Sequence, residues 1–325
     1  MIASSPAPPL PDLAARRGLW IGPCVAATPL ATDAEYAEVL RREFNAVTPE
    51  NAMKWGPIHP ARDRYDFAGA DAIVDFAAAN GMAVHGHTLA WHRQNPDWLT
   101  ASTTSRDETI ALLREHIATV AGRYAGNVAA WDVVNEAVAD DGTLHRTVWL
   151  DRIGPDYLAI AFQAAAEADP QARLLYNDYG AEAGNAKSDA IFDLLARLVR
   201  AGAPVHGVGF QCHLTTGGLD LGSFARNLQR FAGLGLALYV TEMDVRLPLP
   251  ASEEALAAQA ALYRGVLEAC LDQPAFRGFQ TWGFTDKHSW IAGRFPGHGA
   301  ALLFDERYRP KPAYAALHTC LAARP

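Results

Sequence analysis

At 325 residues, half of them apolar or aromatic and a fifth charged, with a formal net charge of −8, the chain has the balance of a soluble protein with a substantial core. It is long enough for one large α/β domain or two ordinary ones. The acidic excess and the lack of any basic run argue against a surface for nucleic-acid phosphates or anionic lipid, which clustered Lys and Arg would hold. No stretch approaches the roughly 20 apolar residues needed to span a bilayer, so a neutral ligand fits better than a nucleic acid or a membrane.

The opening "MIASSPAPPLPDL" carries Pro and Ser where a signal peptide would have a basic and then an apolar segment. A cytoplasmic chain, or one whose signal was removed, is expected. Residues 1–13 are read as a flexible Pro-rich lead-in. No run after Leu13 resembles an interdomain linker, so residues 14–325 are read as one domain.

Short β-branched or aromatic runs alternate with longer segments of helical period, the pattern of parallel strands joined by crossover helices. The predicted strands are "GLWIG" near Trp20, "FNAVT" at 44–48, "MAVHGH" at 82–87 and "VAAWDVVN" at 128–135. They continue with "ARLLYND" at 172–178, "HGVGFQ" at 206–211, "LALYVTE" at 236–242 and "GFQTWGF" at 278–284. Between them, Ile110, Leu113, Ile117 and Val120 mark one helix. Ile191, Leu194, Leu195, Leu198 and Val199 mark the apolar face of another that stops near Gly202. Ser252, followed by two Glu residues, marks the start of a third.

Eight strands each followed by a helix predict a single (β/α)8 TIM barrel, whose active site lies at the C-terminal ends of the strands. Polar residues do gather there: Asn51, His87, Glu136, Asp178, Gln211, His213 and Glu242, with Trp282. Glu136 and Glu242 stand out because each closes a largely apolar run, where desolvating a carboxyl costs several kcal/mol unless compensated. The fourth and seventh strands of such a ring face each other across its mouth. Two carboxyls over one cleft suggest glycoside hydrolysis, one protonating the leaving oxygen while the other attacks the sugar carbon or activates water. Two structural ion pairs are the bland alternative.

Trp91, Trp282 and Trp290 lie in rim motifs and suit stacking on sugar C–H faces, with packing as the alternative. His85 and His87 share one strand face and, with His213 and Asp244, leave a zinc site open. Cys24, Cys212, Cys270 and Cys320 lack the spacings of zinc sites or redox pairs and are read as thiols. A disulfide stays open, since pairing depends on distances that sequence does not give.

The motifs "VTPENAMKW", "GHTLAWHRQNPDW", "WDVVNEA", "LLYNDYG", "GVGFQCHL", "VTEMD" and "WGFTDKHSW", in order over about residues 19–315, resemble those of family 10 glycoside hydrolases, mainly endo-β-1,4-xylanases. The resemblance implies a retaining enzyme on xylan and xylo-oligosaccharides, with Glu136 as general acid/base and Glu242 as nucleophile. Their carboxyls would lie about 5 to 5.5 Å apart. It implies that Asn135 and Gln211 bond the hydroxyl beside the reacting carbon, that His213 orients Glu242, and that Asp244 holds His213. Glu50, Asn51, Lys54, His87 and Gln94 would line the non-reducing side, walled by Trp282 and Trp290, with Asn177 and Tyr179 toward the leaving group and Trp91 also binding substrate.

On this reading an anionic Glu242 raises the pKa of Glu136 by like-charge repulsion. Strand alternation would point Asn135 and Glu136 apart, so a bulge or strand end is expected between them. Cys212 and His288 depart from common family residues without removing a catalytic group, and Cys270 has no near partner for a disulfide seen in some relatives. No metal or cofactor is implied. A monomer is expected, secreted or periplasmic, with a cytoplasmic enzyme left open. A metal-dependent barrel hydrolase and a catalytically silent carbohydrate-binding protein are the alternatives.

Overall fold

The β-branched runs form the expected strands and close them into a ring. In the computed structural model, which describes residues 8–323, the ring strands are Trp20–Val25, Ala46–Pro49, Ala83–Ala90, Ala130–Asn135, Arg173–Asp178, Gly207–Phe210, Ala237–Pro248 and Phe276–Thr281. Each pairs in parallel with the next, and the eighth pairs in parallel with the first. With helices in every crossover this is a single (β/α)8 barrel.

The helices begin where their caps dictate. Ser105 opens Arg106–Arg123 with a capping box to Glu108, and Asn185, Asp220 and Ser252 cap three others by accepting from backbone N–H groups. Helix Ala186–Arg200 buries Ile191, Leu194, Leu195 and Leu198 against the barrel wall. Each such side chain contributes roughly 1.5–3 kcal/mol of burial.

Two elements differ from the sequence reading. The seventh strand does not stop at Glu242 but runs on to Pro248. Beyond the ring its backbone finds partners in two short segments, His213–Thr215 in parallel and His298–Gly299 antiparallel. The lead-in is helical from Leu10: Leu10–Ala15 buries Leu10, Leu13 and Ala14 against the first strand and the last helix, Pro312–Ala323. Residues 1–7 of the expected lead-in lie outside the described residues. No helix among the described residues is long and apolar enough to cross a membrane.

Ala130, Leu175, Ala237 and Tyr239, packed with Trp20, form a small apolar cluster of their own. Asp132 lies two residues beyond Ala130 and therefore on the same strand face. There the lining turns polar, with His85 and Gln280 bonded in series. All four cysteines are buried thiols.

Candidate active site

The fourth strand ends at Asn135, and Glu136 takes a left-handed φ of 51° while its N–H donates to the Asn177 carbonyl at 2.8 Å. Leaving the extended conformation breaks strand alternation, so Asn135 and Glu136 both face one cleft, as the expected strand end required. A non-glycine residue at such a φ costs of order 1–3 kcal/mol, a strain typical of functional sites.

Glu136 accepts a hydrogen bond on each oxygen, from Gln211 Nε2 at 3.0 Å and from Trp91 Nε1 at 2.8 Å. Glu242 does the same, from Asn177 Nδ2 at 2.7 Å and His213 Nε2 at 3.2 Å. The two carboxyls are joined through amides, since the Asn135 side-chain oxygen accepts from Gln211 at 3.3 Å and from Asn177 at 3.0 Å. Gly209 on the sixth strand makes room for this floor: a Cβ there would lie 2.3 Å from Asn177 Oδ1.

His213 has a carboxylate on both ring nitrogens, Glu242 on one side and Asp244 on the other at 2.9 Å. Both nitrogens must donate, so the ring is an imidazolium. Burial opposes that charge, but the two carboxylates outweigh it and hold the pKa well above the usual histidine value. The same Asp244 oxygen accepts from Trp290 Nε1 at 2.8 Å, which ties the indole to the carboxylate behind the nucleophile position.

The expected rise in the pKa of Glu136 is not found. Burial does push its carboxyl up, but the Gln211 and Trp91 donors, with the nearby Arg93 cation, bring the net below the ordinary value. The local donors, and not repulsion from Glu242, set the balance in the free site.

The cleft encloses about 620 Å³ and is lined by Glu50, Asn51, Lys54, His87, Trp91, Gln94, Asn135, Glu136, Tyr179, Gln211, His213, Glu242, Trp282 and Trp290. Lys54 donates to Asn51 at 3.0 Å and lies over the rings of Trp91 and Trp282, at 5.0 and 5.4 Å from their centroids. Burial depresses its pKa against the opposing pull of Glu242 and Glu50. Gln94 reaches the same Asn51 oxygen at 3.5 Å. The Lys187 ammonium lies 3.1 Å from the ring centroid of Tyr179.

Two expected residues do not reach the cleft, and Asp244 lies behind His213 as expected. Asn177 and Asp244 are fully buried and act through Glu242 and His213, so Asn177 is a floor residue and not a leaving-group contact. Asp178 turns away to Tyr176 and Lys187, and burial raises its pKa to about 7.

His87 is held by Asp132 at 2.8 Å, and Asp132 by His85 at 2.9 Å. Burial pushes Asp132 up, but the two imidazoles bring its pKa down to about 2. Donor atoms of His87, Asp132 and Glu242 lie within 4.8 Å of one another. Both Asp132 oxygens already accept from imidazoles, however, and His213 and Asp244 are committed to each other. A metal bound by the expected ligands would have to break these pairs.

Several residues in and around the cleft escape sequence reading. Glu182 accepts the N–H of Cys212 at 2.8 Å, where Cys212 has a φ of 59°. This fixes the corner between Gln211 and His213. His92 lies 3.7 Å from Glu136, accepts from Arg93 at 2.9 Å, and stacks on His145 with centroids 4.2 Å apart. Arg246, Arg294 and Phe295 complete one wall. His92 sits inside a quoted motif, but nothing local to Glu182, His145 or Arg294 marks them.

A closed parallel barrel with two carboxyls bridged by amides and flanked by indoles defines the class of barrel glycoside hydrolases. Comparison with known proteins narrows it. The profile of the family described as Glycosyl hydrolase family 10 matches residues 9–320, and the chain belongs to that family. It is 51% identical over 287 residues to endo-1,4-beta-xylanase B of Thermotoga neapolitana, covering 88% of this chain and 83% of the relative. It is 39% identical to endo-1,4-beta-xylanase 1 of Humicola insolens, covering 99% and 76%. Among solved structures, xylanase 10B of Thermotoga petrophila in complex with xylobiose superposes with a TM-score of 0.96 at 48% identity, covering 99% of each chain. An intracellular xylanase from Thermoanaerobacterium saccharolyticum gives 0.89 at 34%, covering 97% and 99%.

Proposed function

We propose that the chain hydrolyses internal β-1,4-xylosidic bonds of xylan with retention of configuration, as a single catalytic unit that includes the Leu10–Ala15 helix. Glu242 attacks the anomeric carbon while Glu136 gives its proton to the departing oxygen. Glu136 then takes a proton from the water that releases the glycosyl ester. The observation that carries this reading is the run of amide contacts linking Glu136 to Glu242 through Gln211, Asn135 and Asn177.

The supporting groups fit the two steps. The His213 imidazolium and the Asn177 amide each donate to one oxygen of Glu242 and hold it aimed, as a nucleophile must be. Trp91 and Gln211 favour ionised Glu136, the form needed for the second step. Bound sugar, by clearing water from the cleft, favours the proton that the first step needs. Glu50, Asn51, Lys54, His87 and Gln94 supply hydrogen bonds on the non-reducing side, with Trp282 and Trp290 as walls and Tyr179 toward the leaving group.

The test compares Glu136→Gln with the parent on two substrates. On xylan kcat falls about 10²-fold or more, the scale of a general acid–base group. On an aryl xyloside whose leaving group needs little protonation, the glycosylation step is largely spared. Equal losses on both in kcat/KM, which reports the glycosylation step alone, would remove Glu136 from the acid role. Parent activity that persists with a chelator present separates this reading from a metal-dependent hydrolase, and any turnover separates it from a silent binding protein. The reading carries with it a monomeric enzyme that is secreted or periplasmic, which cell fractionation and sedimentation test directly against a cytoplasmic one.

A further inference from the structure

Two arginines on one wall of the cleft have no acidic partner. Arg246 is half-buried on the seventh strand, and Arg294 is exposed at the end of the helical turn Ile291–Arg294. Their guanidinium carbons lie 4.2 and 5.5 Å from the centroid of the same Phe295 ring. Neither forms an ion pair among the described residues, and both line the cleft.

The backbone keeps them together. His298–Gly299 pairs antiparallel with Leu247 and Pro248, which brings the segment carrying Arg294 and Phe295 beside the end of the strand that carries Arg246. Arg246 follows Asp244 by two residues on one strand face, about 7 Å along the strand. Asp244 holds both His213 and Trp290, so the cationic wall begins next to the reacting centre. In a chain of net charge −8, two unpaired guanidinium groups facing a cleft are not explained by bulk charge balance.

A neutral xylose backbone offers only hydroxyls and ring oxygens. The planar guanidinium fork is matched to a carboxylate, which it can hold with two parallel hydrogen bonds. The carboxylates that occur on xylan are those of uronic-acid side chains. We infer that Arg246 and Arg294, gathered around Phe295, form a subsite for a uronate side chain, so that the enzyme favours acidic, uronate-substituted xylan over the neutral polymer. This rests on the xylanase reading and adds a specificity to the same cleft.

The test uses the intact chain with three substrates: unsubstituted xylohexaose, a uronate-bearing xylan, and the same polymer with its carboxyls reduced to alcohols. Reduction removes the charge and leaves the branch in place. The parent enzyme is expected to show a kcat/KM for the acidic polymer about fivefold above that for the reduced one, the scale set by partly exposed ion pairs, with the preference shrinking as salt is added. Arg294→Glu abolishes or inverts that ratio, and Arg246→Ala lowers it. Arg294 is exposed, so its variant reports even if Arg246→Ala does not fold. Equal rates on acidic and reduced polymer, or a ratio untouched by Arg294→Glu, overturn the subsite. Failure of the parent on xylohexaose as well would instead overturn the xylanase reading on which the subsite stands.

Discussion

Glu136 is surrounded by groups that act on its charge, and each makes a separable contribution. Trp91 donates to one oxygen at 2.8 Å, and a hydrogen bond to a charged group is worth about 1.5–3 kcal/mol. Trp91→Phe keeps an aromatic wall and removes the donor. The pKa of Glu136 should then rise by roughly one unit, moving the alkaline limb of kcat/KM on xylan upward. A limb that stays in place, measured from about pH 3 to 7, would mean that the indole does not set the acid. At this scale the sequence was legible where chemistry repeats a known pattern, as at Glu136, Glu242, Gln211 and His213. It was silent on Glu182, whose role depends on the N–H of Cys212 thirty residues away. It also misled on Asn177, which strand alternation could not distinguish as floor or wall.

The strands act as rulers for these side chains, and the sixth strand shows it most directly. Gly209 is the position where a methyl group would meet both Asn177 Oδ1 at 2.3 Å and the Thr241 methyl at 2.7 Å. Gly209→Ala should therefore displace Asn177 and cost about 1–3 kcal/mol of stability, the usual penalty of overpacking a filled interior. It should also lower kcat on xylan, because Glu242 loses its donor. Thermal melting and turnover check this together, and a variant with unchanged melting temperature and turnover would show that the floor yields.

Element existence was readable because β-branched runs and helical periodicity are local signals. The extension of the seventh strand to Pro248 was not, since Asp244–Pro248 are held as strand by pairings to His213–Thr215 and His298–Gly299. Nor was the helix at Leu10, where the prolines dominate the composition and the buried faces of Leu10 and Leu13 depend on a helix three hundred residues later.

Across the whole molecule, a buried pair of histidines makes stability depend on pH. His59 and His116 meet Nδ1 to Nδ1 at 3.2 Å, with Trp55 stacked on His116 at 3.5 Å between centroids. One nitrogen donates and the other accepts, so the two rings cannot both be charged. Burial and the neighbouring ring hold the pKa of His116 well below its ordinary 6.5. A histidine with a depressed folded pKa contributes stability that is complete above the unfolded value and is lost as the pH falls below it. Unfolding free energy should decline from pH 7 to 5 with a slope approaching 1.4 kcal/mol per unit for each excluded proton, an order-of-magnitude figure. His116→Phe should flatten that decline in urea titrations at pH 7, 6 and 5. Parallel curves for variant and parent would place the acid sensitivity elsewhere.

The barrel unites these scales by setting two glutamates from its fourth and seventh strands over one cleft. The configuration of the first product released from xylohexaose, followed by proton NMR before mutarotation, tests that arrangement most directly. Double displacement through Glu242 requires the β-anomer to appear first and the α-anomer to grow in later. Initial release of the α-anomer would contradict it.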